Sequence, residues 1–257
     1  MAILVCRMNT AEYQKLAEVE DRMWYFRSLH GHMERELVRA LPAEREARVL
    51  DAGCGTGGLI LRLRERHPAW TWSGIDLSAI ACDYARQRTG GDIREASIVA
   101  LPFSDGEFDA VVSTDVVCQV DDPAVALAEL FRVLRPGGLV ALNMPAYMWL
   151  WSYHDAAVQN KRRYTRREVH ALLVAAGFRG VRATHWNALP FPLLLARRKF
   201  FRPAGGTSDV KLHPAPVELG LRAAMAVEHA WLRLGGRWAW GASVFAVGHK
   251  PLAENRL

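Results

Sequence analysis

The residues best equipped for chemistry are concentrated in the run Asp51-Ala52-Gly53-Cys54-Gly55-Thr56-Gly57-Gly58, directly after the apolar Val49-Leu50. Glycines let a backbone turn sharply and approach a ligand closely, because no Cβ stands in the way. A helix starting just after them points its free N-terminal amides at that ligand. Gly53, Gly55 and Gly58 also satisfy the G-x-G-x-x-G spacing of dinucleotide-binding turns, so the run alone leaves the ligand open. Asp51 argues against a pyrophosphate, which it would repel, and suits a ligand that carries an ammonium group. A second acid follows in Gly74-Ile75-Asp76-Leu77, 25 residues after Asp51. At the end of a second strand it can accept hydrogen bonds from both hydroxyls of a ribose.

The elements that must position these groups are legible from hydrophobic spacing. The first 40 residues read as helix, with Thr10 as N-cap and Leu16, Val19, Met23, Phe26, Leu29 and Met33 at three- and four-residue steps. Strands are predicted over 48–53, 71–77, 93–98 (weakly), 108–114 and 139–144, with helices over 58–66, 79–88 and 123–134 between them. That alternation implies a parallel sheet with helices on both faces. The second half is less regular. A stretch rich in aromatic and basic residues, 148–164, precedes a helix that opens on the capping box Thr165-x-x-Glu168 and stops at Gly177. A strand over 181–186, a mixed Pro and Leu segment over 187–203 and a loop over 204–214 come next. A helix over 217–234 and a strand over 238–249 close the chain. This irregular region is the expected substrate lid.

At 257 residues, with 51% hydrophobic and 23% charged residues, the chain can build a large core. No apolar run reaches the roughly 20 residues that span a bilayer, and the short apolar stretch at 2–6 lacks an export signal's features. Four cysteines (Cys6, Cys54, Cys82, Cys118) sit far apart, which supports neither a disulfide framework nor a metal site and points to the cytoplasm. The net charge of +6 is uneven: 161–202 holds eleven Lys and Arg against Glu168, about +10, leaving about −4 elsewhere. Such a stretch is either a solvated helix face or a surface for an anionic partner.

Ala100-Leu101-Pro102-Phe103 precedes Phe108-Asp109-Ala110-Val111-Val112, and Arg132-Val133-Leu134-Arg135-Pro136-Gly137-Gly138 follows it. With the glycine turn and the two acids, this ordering resembles the class I S-adenosylmethionine-dependent methyltransferases that act on small molecules, over roughly 49–145. The resemblance implies an α/β Rossmann-like fold: a mainly parallel seven-stranded sheet, helices on both faces, and a helical and aromatic cap. It divides the chain into an N-terminal cap (1–45), a cofactor-binding core (46–145) and a lid that completes the sheet (146–257). By resemblance, Asp51, Gly53, Cys54, Gly55 and Gly57 hold the methionine part of S-adenosylmethionine. Asp76 holds the ribose, Leu77 packs on the adenine, and Ser113 and Thr114 face the ammonium. Ser97 stands where the family commonly has an aspartate, so the adenine amino group falls to its hydroxyl or to the backbone at Ile98. S-adenosylhomocysteine is the implied product. Met23-Trp24-Tyr25-Phe26-Arg27, 149–155 and 241–247 resemble a bacterial subset of the family, with Asn160 in place of a histidine.

Methyl transfer is an in-line displacement that needs the acceptor about 3–3.5 Å from the methyl carbon in a dry pocket, so much of it is positioning. A base is needed only where the acceptor loses a proton. His154, oriented by Asp155 or Tyr164, is the first candidate, against the plainer reading that it anchors the lid. Gln119 either binds the acceptor or closes its own loop. Among nine tryptophans, Trp24, Trp149, Trp151 and Trp186 fall in the cap with Tyr25 and form either ordinary core or an aromatic acceptor site. The leading expectation is methylation of a small aromatic or hydrophobic metabolite on oxygen, nitrogen or carbon, in secondary metabolism. A nucleic-acid methyltransferase using 161–202 is the rival, but the Asn/Asp-Pro-Pro-aromatic run is absent after the fourth strand, where Ser113-Thr114-Asp115-Val116 stands. A regulator that binds the cofactor without catalysis and a nicotinamide-dependent oxidoreductase are the remaining readings. No metal is expected.

Overall fold

The computed structural model describes residues 10–41, 45–200 and 208–252. The apolar stretch at 2–6 and the first part of the loop expected over 204–214 lie outside them. Where one long N-terminal helix was expected there are two, Thr10–Val19 (α1) and Trp24–Ala40 (α2). The break falls at Glu20, whose buried carboxylate accepts hydrogen bonds from Thr56 and Arg88 on the core. A tertiary contact has overridden the helical spacing.

Ala47–Ala52 (β1), Gly58–Arg66 (α3), Trp70–Asp76 (β2), Ala79–Thr89 (α4) and Asp92–Glu95 (β3) follow. The Ser78 side chain caps α4 by accepting from the Ala81 amide, and Gly90 ends it in the left-handed conformation. β3 is shorter than the 93–98 expected, because the chain bends at Ser97 and bridges back to Ala100. Next come Phe108–Thr114 (β4), Pro123–Val133 (α5) and Leu134–Pro145 (β5), with Asp122 capping α5 just ahead of Pro123.

A 3-10 turn at Met148–Leu150 leads to Tyr153–Ala157 (α6) and Arg166–Ala175 (α7), the latter opened by the expected Thr165/Glu168 capping box. Arg179–Trp186 (β6), Phe191–Phe200 (α8), Ala215–Arg233 (α9) and Ser243–His249 (β7) complete the described chain. The mixed Pro and Leu segment is thus largely helix, and the last strand begins later than position 238.

The strands form one seven-stranded sheet in the order β3-β2-β1-β4-β5-β7-β6, the Rossmann-like arrangement expected. β1 to β5 pair in parallel, and β7 runs antiparallel to both β5 and β6. Alternate residues of β1 feed two cores: Val49 packs with Leu29, Met33 and Leu63 of α2 and α3, and Leu50 with Leu127, Leu130 and Leu173 of α5 and α7. Burying each such side chain contributes about 1.5–3 kcal/mol. Strand order reverses between β1 and β4, and the crevice at their carboxyl ends is where ligands of open α/β sheets bind.

Five of the eleven cations of the basic stretch are paired within the fold. Lys161 pairs with Asp121, Arg163 with Asp155, Arg182 with Glu36, and Arg197 and Arg198 with Asp209. Among the described residues no helix is long and apolar enough to cross a membrane, and no His, Cys, Asp and Glu cluster could hold a metal.

Candidate active site

A cavity of about 480 Å³ opens at the carboxyl ends of β1, β2 and β4. The turn after β1 is fastened to β2 by the Gly53 and Cys54 amides, which both donate to the Ile75 carbonyl at 2.8 Å. Gly53 has φ +99°, and a Cβ there would overlap the Val116 side chain. The Gly55 amide donates to Asp76 Oδ2 at 3.0 Å. The other Asp76 oxygen accepts from the Ser78 amide at 2.9 Å and from the Tyr13 hydroxyl of α1 at 3.3 Å. Burial raises the Asp76 pKa above its ordinary value, although the Ser78 and Gly55 amides oppose the rise.

Asp51 differs in kind. It is 1% exposed, lines the cavity, and its Oδ1 has no hydrogen-bond partner. Burial, reinforced by Asp76 and Glu20, pushes its pKa up to about 8. A buried carboxyl left unpaired is costly unless a ligand supplies the missing charge.

The far side of the cavity is built by β4, β5 and α2. Asp115 follows β4 with φ +59°. Its carboxylate accepts from the Tyr25 hydroxyl at 3.0 Å and from Asn143 Nδ2 at 2.9 Å. Asn143 Oδ1 in turn accepts from Trp186 Nε1 at 2.7 Å. Burial pushes the Asp115 pKa up to about 6, against the pull of Tyr25 and Arg163. His154 accepts from the Asp209 amide at Nδ1, 3.0 Å away, and Leu16, Met23, Trp24, Phe26 and Leu221 give the wall apolar surface.

Over residues 50–142 the chain matches the family model described as a methyltransferase domain. It is 32% identical over 189 residues to the malonyl-[acyl-carrier protein] O-methyltransferase of Enterobacter lignolyticus, spanning 69% of this chain and 74% of that one. The chain belongs to the S-adenosylmethionine-dependent methyltransferases. Demethylmenaquinone methyltransferase of Thermus thermophilus is 43% identical over 104 residues, 38% of this chain and 47% of that one. Among solved structures, geranyl diphosphate C-methyltransferase of Streptomyces coelicolor superposes with a TM-score of 0.60 at 17% identity, covering 88% of this chain and 81% of that one. That likeness concerns the fold, which is the class I methyltransferase fold.

The methyltransferase cavity brings together Asp51, Gly53, Cys54, Gly55, Asp76 and Thr114. Gly57, Leu77, Ser97, Ile98 and Ser113 are outside its wall. Ser113 donates its hydroxyl to the Ala52 carbonyl at 2.7 Å, Ile98 packs in the core, and the Ser97 hydroxyl closes its own turn. Trp24, Tyr25, Gln119 and His154 line the cavity, whereas Tyr164 does not: it is buried in the core beside β5. Gln119 donates to the Val158 carbonyl at 3.1 Å, tying the segment after β4 to the end of α6.

Of the aromatics that could form either core or an acceptor site, Trp24 and Tyr25 reach the cavity and the other three do not. Trp149 and Trp151 are 53% and 38% exposed because the 3-10 turn carries them outward, and Trp186 is buried against Tyr25. Asp155 does not orient His154 by a hydrogen bond; it binds Arg163 at 2.7 Å, Asn160 at 2.9 Å and the Ser152 amide. Asp209, beside His154, and Asp115, held by Asn143 from outside the wall, are among the cavity's polar groups that sequence reasoning missed. For Asp115 the one available signal was its place directly after an apolar strand.

Proposed function

We propose that this methyltransferase transfers a methyl group to a small aromatic or hydrophobic metabolite, in secondary metabolism. The observation that carries the reading is the cavity itself, which joins the unpaired Asp51 to an apolar wall from α1, α2, α8 and α9. S-adenosylmethionine fits the first end, because its ammonium supplies the charge that buried Asp51 lacks. Asp51 would hold that ammonium with Thr114, Asp76 the ribose hydroxyls, and the Gly53–Gly55 turn lets the cofactor lie close to the backbone. The bound cofactor supplies an electrophilic methyl group on a sulfonium.

The chain's own part is to orient the acceptor and keep water out. In this reading the described parts of 1–45 supply the cap, and those of 146–257 supply the lid and complete the sheet of the 46–145 core, with Trp24 and Tyr25 touching the acceptor. His154 accepts at Nδ1, so its neutral ring carries the proton on Nε2 and serves as a hydrogen-bond donor. The relatives named above span O- and C-methyltransferases, so the acceptor atom is not carried over from them. Nucleic acid is not the proposed acceptor, since five of the cations of 161–202 are held in ion pairs. The unpaired Cys54, Cys82 and Cys118 suit the reducing cytoplasm.

Incubation with isotopically labelled cofactor and a metabolite extract tests the proposal, by mass detection of a labelled low-mass product. Label appearing only in protein or nucleic acid would reject it. Asp76→Asn should weaken cofactor binding by about 1–3 kcal/mol, because a charged acceptor is lost.

A further inference from the structure

Asp115 holds its place at the cavity by an arrangement that serves its carboxylate. Its backbone is left-handed at φ +59°, a conformation that costs a non-glycine residue about 1–3 kcal/mol and gathers at functional positions. Its amide is tied to the Asn143 carbonyl at 2.9 Å. An indole N–H can only donate, so the 2.7 Å bond from Trp186 fixes Asn143 with its oxygen toward Trp186 and its NH₂ toward Asp115. The same NH₂ donates to the Tyr25 oxygen at 3.1 Å, which leaves the Tyr25 proton for Asp115. Every contact on the carboxylate is therefore a donor, and two oxygens with four lone-pair sites still have room to accept another.

The other carboxylates on the cavity wall are already committed. Glu12 binds Lys15 and Ser208, Glu20 binds Thr56 and Arg88, and Asp209 binds Arg198 and Tyr153. His154 is a donor at Nε2, and Asp51 and Asp76 belong to the cofactor end. Among the described residues no cation forms an ion pair with Asp115, since Arg163 is engaged by Asp155. We propose that Asp115 is the catalytic proton acceptor, and that the methyl acceptor is a hydroxyl or amine that must lose a proton. This rests on the functional reading above.

The acceptor's oxygen or nitrogen forms its new bond to the methyl carbon with its own lone pair. The bond from that carbon to sulfur breaks, its electrons stay on sulfur, and the acceptor's proton passes to an Asp115 oxygen and then to water. Burial pushes the Asp115 pKa up to about 6, which poises the group as a base near neutrality. The charged and titratable groups facing it are Tyr25 of α2, Asp155 of α6, Arg163 and Cys118.

The test uses the full chain with S-adenosylmethionine and two acceptor panels. One holds hydrophobic phenols, alcohols and primary and secondary amines; the other holds carboxylates, tertiary amines and thioethers, which have no proton to lose. Turnover confined to the first panel supports the proposal, and turnover confined to the second overturns it. Asp115→Asn preserves the shape and tolerates the left-handed backbone. It should lower kcat about 100-fold or more, with cofactor affinity by calorimetry unchanged. A kcat within threefold of the wild type would overturn the proposal. Tyr25→Phe removes a hydrogen bond that favours the carboxylate, so the acid limb near pH 6 should move upward; an unmoved limb counts against Asp115. Carboxyl NMR of aspartate-labelled protein with S-adenosylhomocysteine reads the same group without turnover. A resonance titrating near pH 6, lost in Asp115→Asn, is expected, and its absence counts against the assignment. Failure to bind S-adenosylmethionine at all would instead sink the functional reading.

Discussion

The backbone amide of Asp209 donates to Nδ1 of His154 across 3.0 Å, joining α6 to the segment ahead of α9. A neutral imidazole that accepts at one nitrogen must carry its proton on the other. Burial, with Arg198 nearby, pushes the His154 pKa down to about 4, so the ring is neutral at pH 7. These two facts make His154 a donor and a tether.

His154→Ala should accordingly cost turnover about tenfold or less, the loss of one neutral hydrogen bond. The acid limb of the pH–rate profile should stay where it was. A drop of about 100-fold or more, together with loss of that limb, would restore His154 to the role of base.

Asp155→Ala should destabilise the fold by about 3–5 kcal/mol, because it strands a buried guanidinium. The side chains of Arg163 and Asp155 are 2% and 0% exposed, and they meet at 2.7 Å. Burial alone would raise the Asp155 pKa, but Arg163 and Asn160 outweigh it and hold the value below the ordinary range. A depressed folded-state pKa means the pair's stabilisation is present above the ordinary carboxylate pKa and lost only in stronger acid. Urea unfolding at pH 7 measures the loss, and a change under about 1 kcal/mol would show the pair to be dispensable.

Gly53→Ala and Gly55→Ala separate crowding from backbone strain. Both positions have positive φ, +99° and +52°, so both substitutions are strained. At Gly53 the added methyl would overlap Val116, whereas at Gly55 it would meet only Leu16 Cδ2 at 3.4 Å. Gly53→Ala should therefore lower the melting temperature clearly more than Gly55→Ala. Adding Val116→Ala should recover part of the Gly53→Ala loss and none of the Gly55→Ala loss. Equal losses without rescue would assign both effects to the backbone alone.

The turn after β1 was readable because its causes are local: an apolar strand, a glycine run and a helix start lie in one short segment. Asp76 was readable for a similar reason, as the end of the next strand. Asp115 was not, because its meaning depends on partners far away in sequence. The register that sets Thr114 opposite Asn143 brings the asparagine within reach, and α2 must fold over the sheet to deliver Tyr25. Proximity in the chain makes Asp155, like Tyr164, a candidate partner for His154, but Arg163 offers Asp155 a stronger, buried partner. The tryptophans left two readings open for a related reason: their number allows core or an acceptor site, while the direction each side chain takes is fixed by α2, the 3-10 turn and β6.

Asp51 makes a proton part of cofactor binding. Its Oδ1 is buried without a partner, and burial pushes its pKa up to about 8, so at pH 7 the free protein holds it mostly protonated. The bound ammonium favours the ionised form and draws the pKa down. A group whose pKa falls on binding releases its proton wherever the pH lies between the two values. Affinity for S-adenosylmethionine should therefore climb roughly tenfold per pH unit from about 6 toward 8, then level off. Calorimetry at pH 7 in phosphate and in Tris should report close to one proton released per cofactor bound, from the difference in buffer ionisation heat. Asp51→Asn should flatten the pH dependence and bind more weakly than the wild type at pH 8.5, where the native carboxylate is ionised. The opposite reading, an Asp51 that only buttresses the glycine turn, predicts no released proton and the same slope in both proteins. A flat wild-type affinity between pH 6 and 8 would remove Asp51 from the cofactor's ammonium and leave it a role in the turn.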